Sequence, residues 1–272
     1  MESACLSVAA TLGALMDDLC IVGGLVPTLL VDRRDEAQGE RSARHPGTVD
    51  LDVGLGLALL DGNRYSEVSD RLRSEGFEPD TNENGNATLQ RWRFGTLGAT
   101  VDFLLPAIPG GARGGRIHPL EPDFGALVAP GLELSFEERI NIPCEGHTLR
   151  GEQTTRVIPV CGPAAFVVLK ALAFADRAEP KDAFDLVYVI RHWPGGASDI
   201  ADRLVRHSQR HAHVVRHALR LLARDFETPE TLGPARVAEF EQADGRPPHE
   251  LAADAHGDVD DLLALCRLRD LV

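Results

Sequence analysis

The sequence predicts an α+β protein: a mixed sheet with flanking helices, followed by a helical domain. Three observations carry that prediction. Short segments of strand character, Val49 to Leu57, Leu89 to Phe94 and Ala99 to Leu105, fall in the first half of the chain, bounded by glycine- and asparagine-rich turns. From Gly162 onward the apolar spacing becomes helical. The chain has 272 residues, enough to bury a substantial core and hold two domains. The expected division is a core over residues 1–158 and a helical domain over residues 159–272 that completes the active site.

The elements follow in order. Residues 4–18 have the length and apolar content of a first helix. Leu19 to Val22 read as a short strand or turn entering Gly23-Gly24. Leu25 to Val31 look helical, with Pro27 tolerated in the first turn. Residues 33–47 are polar and irregular, a loop. Val49 to Leu57 alternate apolar with polar or small residues, a strand. Residues 64–75 form an amphipathic helix closed by Gly76. Thr81 to Asn86 is a turn between strands. Leu89 to Phe94 and Ala99 to Leu105 read as paired strands. Pro106 to Gly115 is a surface loop whose Gly110-Gly111-Ala112-Arg113-Gly114-Gly115 lacks the strand-to-helix context of a P-loop. Several short strands are expected over residues 131–160. Pro163 to Asp176, Lys181 to Trp193 and residues 199–224 are helices, and short helices near 234–243 and 258–270 close the chain.

Composition narrows the class. The net charge of −14 disfavours nonspecific polyanion binding by the chain as a whole, although a local basic patch could still meet nucleic acid. Five cysteines with no C-x-x-C spacing argue against a disulfide framework or a zinc site. No stretch is long and apolar enough to span a membrane, and the N-terminus lacks the basic region of a signal peptide, so the expectation is a cytoplasmic protein with no membrane partner. Of 28 basic residues only Lys170 and Lys181 are lysines, so a compact ammonium is expected to matter where one is kept.

The chemistry centres on Asp50 and Asp52. On a strand, alternate residues share a face, so the two carboxylates project together. Taken alone, the pair also reads as two solvated strand-edge acids. Both, however, lie in an apolar strand, as does a third acid, Asp102, in Val101-Asp102-Phe103-Leu104-Leu105. Like charges placed this close call for a cation, and the trio suits one or two magnesium ions. Gly23-Gly24 would let backbone amides approach phosphates closely. Asp102 could complete the metal shell or help to deprotonate an attacking hydroxyl.

The ordered set Gly23-Gly24, Thr48-x-Asp50-x-Asp52 and Val101-Asp102 resembles the polymerase-β-type nucleotidyltransferase superfamily. The lysine helix Ala165 to Ala173, followed by Lys181-Asp182-Ala183-Phe184-Asp185-Leu186, looks like the AbiEii family of nucleotidyltransferase toxins. The resemblance covers roughly residues 20 to 192. It implies a polymerase-β-like core with a mixed sheet, followed by the helical domain. It also implies magnesium, bound by Asp50, Asp52 and Asp102, and a nucleoside triphosphate (NTP) as substrate. The catalytic set it implies is Asp50, Asp52, Asp102, Lys170 and Asp182. Its nucleotide-binding set is Gly23, Gly24, Thr48, Lys170, Lys181 and Asp185, with Lys170 on the triphosphate. One departure is the segment His45-Pro46-Gly47-Thr48, where related toxins often carry an arginine.

Read from the residues, Lys170 on its apolar helix either snorkels to solvent or faces a carboxylate or phosphate. Asp182 and Asp185, three apart, share a helix face. Arg203, Arg206, Arg210, His213, His217, Arg220 and Arg224 form a stripe at helical steps. That stripe is either a solvated face or a contact for the RNA backbone. The expected activity is transfer of a nucleoside monophosphate from an NTP with release of pyrophosphate. By resemblance the acceptor is RNA, with a tRNA 3′ end favoured, and the role is that of the toxin of a toxin–antitoxin or phage-defence pair with an antitoxin partner. The alternatives are a small-molecule nucleotidyltransferase of the aminoglycoside-modifying kind and a non-catalytic nucleotide-binding module.

Overall fold

The computed structural model describes residues 1–32, 44–56, 64–95, 98–108, 113–241 and 245–271. The chain forms two compact units: Met1–Leu29 with Pro46–Cys161, and Leu30–His45 with Gly162–Val272. The longer segment of the second unit thus starts at Gly162, because the last strand runs on through Cys161.

The first unit is built on a mixed sheet. Helix α1 (Glu2–Leu12) ends where Gly13 takes a positive φ of 56°, and a tighter 3-10 turn, Gly13–Asp18, continues from it. The single helix expected over residues 4–18 is therefore broken by a glycine that leaves the helical region. Strand β1 (Leu19–Val22) pairs antiparallel with β2 (Asp50–Leu55), which runs parallel to β5 (Ala99–Leu105). Between them in sequence lie α2 (Tyr65–Glu75), closed by a left-handed Gly76, β3 (Phe77–Thr81) and β4 (Ala87–Phe94). The β3–β4 turn forms as expected: the Asn82 side-chain carbonyl accepts from the amides of Asn84 and Asn86, both at 3.0 Å.

A hairpin that the sequence reading did not anticipate follows, β6 (Ile117–Glu121) with β7 (Phe124–Val128). A short helix α3 (Glu133–Glu137) and two long antiparallel strands, β8 (Arg139–His147) and β9 (Gln153–Cys161), replace the several short strands expected there. The sheet order is β3-β4-β5-β2-β1-β9-β8, with β7 joining β5 beyond the stretch paired to β4. Alternation sorts the central strands into two faces. Leu51, Val53, Val101 and Phe103 are fully buried on one, where Trp92 and Phe103 pack edge-on against Phe124. The intervening residues, including the acids of β2 and β5, lie on the other.

The second unit is helical: α4 (Pro163–Arg177), α5 (Pro180–His192), α6 (Gly196–Asp225), α7 (Leu232–Glu241) and α8 (Pro248–Arg267). Prolines open α4, α5 and α8, where a missing N–H costs nothing. That rule explains why α8 begins well before the expected 258: Pro247-Pro248 initiates the helix rather than prolonging a loop. Within α6, His211 leaves helical geometry, so the long helix is kinked there. Most of the expected loop 33–47, the expected strand end at Leu57 and the glycines Gly110 and Gly111 lie outside the described residues.

Candidate active site

In the first unit, sheet register sets a polar row. Asp52 is the parallel partner of Asp102, Asp102 is the antiparallel partner of Arg91, and Asp50 is opposite Thr100. The two acids of β2 and the third acid of β5 therefore share one face, as the spacing implied. Asp50 Oδ1 accepts a short hydrogen bond from the Thr100 hydroxyl, and the Asp50 amide leans on Thr48 Oγ1 at 3.4 Å. Gly23 explains where the Asp52 carboxylate goes. Gly23 has a φ of 68°, and a Cβ built there would stand 1.8 Å from Asp52 Oδ2. The carboxylate occupies the space that any side chain at position 23 would fill. Gly24, in the same 3-10 turn, is buried.

Arg91 is the residue that sequence reasoning missed. Its Nε and Nη2 donate to Asp102 Oδ1 and Oδ2 at 2.9 and 2.6 Å, and Nη2 lies 3.9 Å from Asp50 Oδ2. These bonds to Asp102 outweigh partial burial and raise the guanidinium pKa, so Arg91 is a permanent cation. Its place could have been found only by aligning β4 against β5, which the sequence does not state.

Two hard carboxylate donors on one face of a strand suit a magnesium ion that keeps water and phosphate as its other ligands. Asp50 and Asp52 could hold one. Both oxygens of Asp102 are engaged by Arg91, and among the described residues no group of three or more His, Cys, Asp or Glu is placed to hold a metal.

In the second unit, Lys170 does not snorkel. Its side chain is 8% exposed, and Nζ donates to Asp182 Oδ1 at 2.8 Å and Asp185 Oδ2 at 2.7 Å. Lys181, 32% exposed, donates to both oxygens of Asp185 at 2.7 and 2.9 Å. Arg177 clasps Asp182 through Nε (2.5 Å) and Nη2 (2.9 Å). His45 Nε2 shares a hydrogen bond of 2.9 Å with Asp185 Oδ1. The His45 amide donates to Asp32 Oδ2 at 3.1 Å, and the Tyr188 hydroxyl donates to Asp32 Oδ1 at 2.5 Å. The His45 ring stacks on Phe184 and meets Tyr188 edge-on.

Burial alone would raise the pKa values of Asp182 and Asp185. Its surroundings outweigh it: Arg177 and Lys170 pull Asp182 down, and Lys170, the hydrogen bond with His45 and Lys181 pull Asp185 down. Burial would likewise lower Lys170, but Asp185 and Asp182 hold it above its ordinary value. At Lys181 desolvation wins and the value falls. Both lysines and both acids of the second motif thus form one network. His45, Asp32, Arg177 and Tyr188 complete it, and none of these was singled out for it in the sequence.

The α6 stripe is partly committed. Arg203 donates to Asp199 at 2.7 Å and lies over the Trp193 ring, and Arg224 pairs with Asp225. Arg206, Arg210, His213, His217 and Arg220 are exposed, and so is Arg216, which belongs to the same face and was not singled out from sequence. Among the described residues Arg206, Arg216 and Arg220 make no ion pair.

A family model described as nucleotidyl transferase AbiEii toxin, type IV toxin–antitoxin system, matches residues 47–263. That span holds the acids of β2 and β5 and the whole lysine–aspartate network of α4 and α5, and begins after Gly23-Gly24. Among solved structures, a solution structure of the antibiotic-resistance factor ANT(2'')-Ia, described as revealing substrate-regulated conformation dynamics, is similar over 78% of this chain and 93% of its own. Its identity is 14% and its TM-score 0.38, too distant to carry an argument. No curated protein matches the chain.

Proposed function

Since the chain belongs to the AbiEii family of nucleotidyl transferase toxins of type IV toxin–antitoxin systems, we propose that it transfers a nucleoside monophosphate from an NTP to RNA, with a tRNA 3′ end as the favoured acceptor and pyrophosphate as the leaving group. The observation that carries the reading is the acid row: Asp50 and Asp52 side by side on β2, with the Asp52 carboxylate seated over Gly23.

Asp50 and Asp52 are the proposed holders of a magnesium ion. When bound, that ion supplies charge neutralisation and alignment of the triphosphate. The chain's own contributions are separable from it. Thr100 orients Asp50 through its hydroxyl. Gly23 leaves the room that the Asp52 carboxylate fills, and so lets that carboxylate sit against the turn. Asp102 is clasped through both oxygens by Arg91, which fixes its orientation on the face.

Of the two lysines, Lys181 is the more accessible and is the proposed phosphate contact; Lys170 holds Asp182 and Asp185 in place. The RNA reading is supported by the exposed arginines of α6, Arg206, Arg210, Arg216 and Arg220, a local basic face on a chain of net charge −14. The toxin role implies an antitoxin that relieves it.

The test incubates the protein with magnesium, each labelled NTP, and either total RNA or small-molecule acceptors. Label on RNA, lost in Asp52→Ala, is the expected result. Label only on small molecules would replace RNA by the small-molecule reading, and magnesium-dependent NTP binding without turnover would leave a non-catalytic module.

A further inference from the structure

We infer that His45 is a positioning residue for phosphate binding: its buried imidazole fixes the Asp185 carboxylate, and Asp185 in turn aims the Lys181 ammonium. The inference rests on the reading of Lys181 as the phosphate contact and deepens it by saying what sets the direction of that lysine.

All the residues involved lie in the second unit. The side chains of His45 and Asp185 have no solvent exposure, whereas that of Lys181 is 32% exposed. His45 therefore cannot meet a phosphate itself and must act through a neighbour. Asp185 is the neighbour that also holds Lys181, and each of its oxygens takes that lysine and one further donor. Oδ1 accepts from Lys181 at 2.7 Å and from His45 Nε2 at 2.9 Å. Oδ2 accepts from Lys181 at 2.9 Å and from Lys170 at 2.7 Å. An ammonium on a flexible stem does not by itself fix the plane of a carboxylate. The two buried donors, one on each edge, do. Asp185 is held below the ordinary carboxylate range, so it only accepts, and the shared proton sits on His45 Nε2.

The imidazole is anchored in turn. The His45 amide donates to Asp32 Oδ2 at 3.1 Å, and its ring lies 5.5 Å from Phe184 and 5.0 Å from Tyr188 between centroids. The Tyr188 hydroxyl donates to the other oxygen of Asp32, and Tyr188 stands one helical turn beyond Asp185 on α5. The contacts close into a ring that runs from Asp185 through His45, Asp32 and Tyr188 and back along α5. Such a ring leaves the imidazole little freedom to follow a moving carboxylate. Without the His45 donor, Oδ1 keeps Lys181 alone among the described residues. The carboxylate can then turn about its Cβ–Cγ bond, and the lysine turns with it.

The experiment measures binding of tripolyphosphate, the group common to every NTP, to the full chain with magnesium by isothermal titration calorimetry. Substitutions at His45 separate the hydrogen bond from the packing. His45→Phe keeps a ring against Phe184 and Tyr188 but has no donor. His45→Gln has a donor at the reach of Nε2 but no ring, and the amide of His45→Asn is too short to reach. His45→Phe and His45→Asn should weaken binding by about tenfold, while His45→Gln stays within about threefold of the unsubstituted chain. A merely structural His45 gives the opposite grouping, with His45→Phe near the unsubstituted chain and His45→Gln beside His45→Asn. That grouping overturns the inference, and so does unchanged binding in all of them. Lysine supplies a second readout, because Lys170 and Lys181 are the only lysines of the chain. With an NMR-active carbon at lysine Cε, the Lys181 signal is the one lost in Lys181→Ala. It should move toward the position of a free lysine in His45→Phe and His45→Asn and stay in place in His45→Gln; a signal unmoved in folded His45→Phe and His45→Asn overturns the inference. Undiminished tripolyphosphate binding in Lys181→Ala, or none in the unsubstituted chain, would count against the phosphate reading itself, and the lysine signal would still decide whether His45 sets Lys181.

Discussion

Gly23 and Asp52 are separated by a long stretch of sequence yet share one small volume, and a methyl group at position 23 tests it. Gly23→Ala puts a Cβ 1.8 Å from Asp52 Oδ2 at a φ of 68°, so either the turn or the carboxylate must move. The expected result is a stability loss of about 1 kcal/mol or more, measured by urea denaturation, together with a fall in transfer of about a hundredfold. Asp52→Ala should lower label transfer further, by about a thousandfold, with little change in melting temperature, since the carboxylate is not part of the apolar core. The acids themselves were legible in the sequence because a charged residue every second position in an apolar strand is costly without a purpose. Arg91 and Thr100 were not, because their meaning depends on which residues face each other across β4, β5 and β2. A strand's own sequence fixes its two faces but not its partner's register.

At the scale of elements, α5 carries a buried acid pair that depends on cations from α4 and from its own first turn, and on a hydrogen bond with His45. Asp185→Ala leaves Lys170 buried beside a single remaining carboxylate and should cost about 3–5 kcal/mol in chemical denaturation. The pH dependence has a definite sign. The folded pKa values of Asp182 and Asp185 lie below their unfolded ones, so the folded state resists protonation that the unfolded chain accepts. Their contribution is complete above the ordinary carboxylate range near pH 4 and is lost as pH falls below it. Denaturation midpoints should drop between about pH 5 and pH 2, and Asp185→Asn should flatten that drop. Lys181→Ala, at the exposed end of the network, should raise the KM for NTP while leaving the fold intact; unchanged KM would remove Lys181 from the nucleotide site. On α6 the helical period was readable, but its commitments were not. Asp199, at the start of the helix, and Asp225, at its end, each capture an arginine, and the kink at His211 interrupts the phase. Replacing Arg206, Arg210, Arg216 and Arg220 with glutamine should weaken RNA binding and reduce the slope of log affinity against log salt by about 0.7 for each phosphate no longer neutralised.

For the whole molecule, the order of strands before helices was evident from the change of apolar period at Gly162, whereas the membership of the segment from Leu30 to His45 in the helical unit was not. That membership shows only through long-range pairs: His45 with Asp185, 140 positions apart, and Asp32 with Tyr188, 156 apart. Expression of the intact chain is expected to arrest growth, and the antitoxin to restore it; growth unaffected by the active chain would remove the toxin role. The long-range pairs also bear on how the chain is made. A ribosome releases Asp32 and His45 early, but the aromatic and acidic partners they satisfy do not exist until α5 has been synthesised. The helical unit is therefore complete only once Asp32 and His45 meet α5, and its slowest refolding step should be the one that brings these distant pieces together. A fragment starting at Gly162 would lack Asp32 and His45 and should expose their partners on α5 to solvent, so the helical half is not a module that can be cut free and traded between proteins.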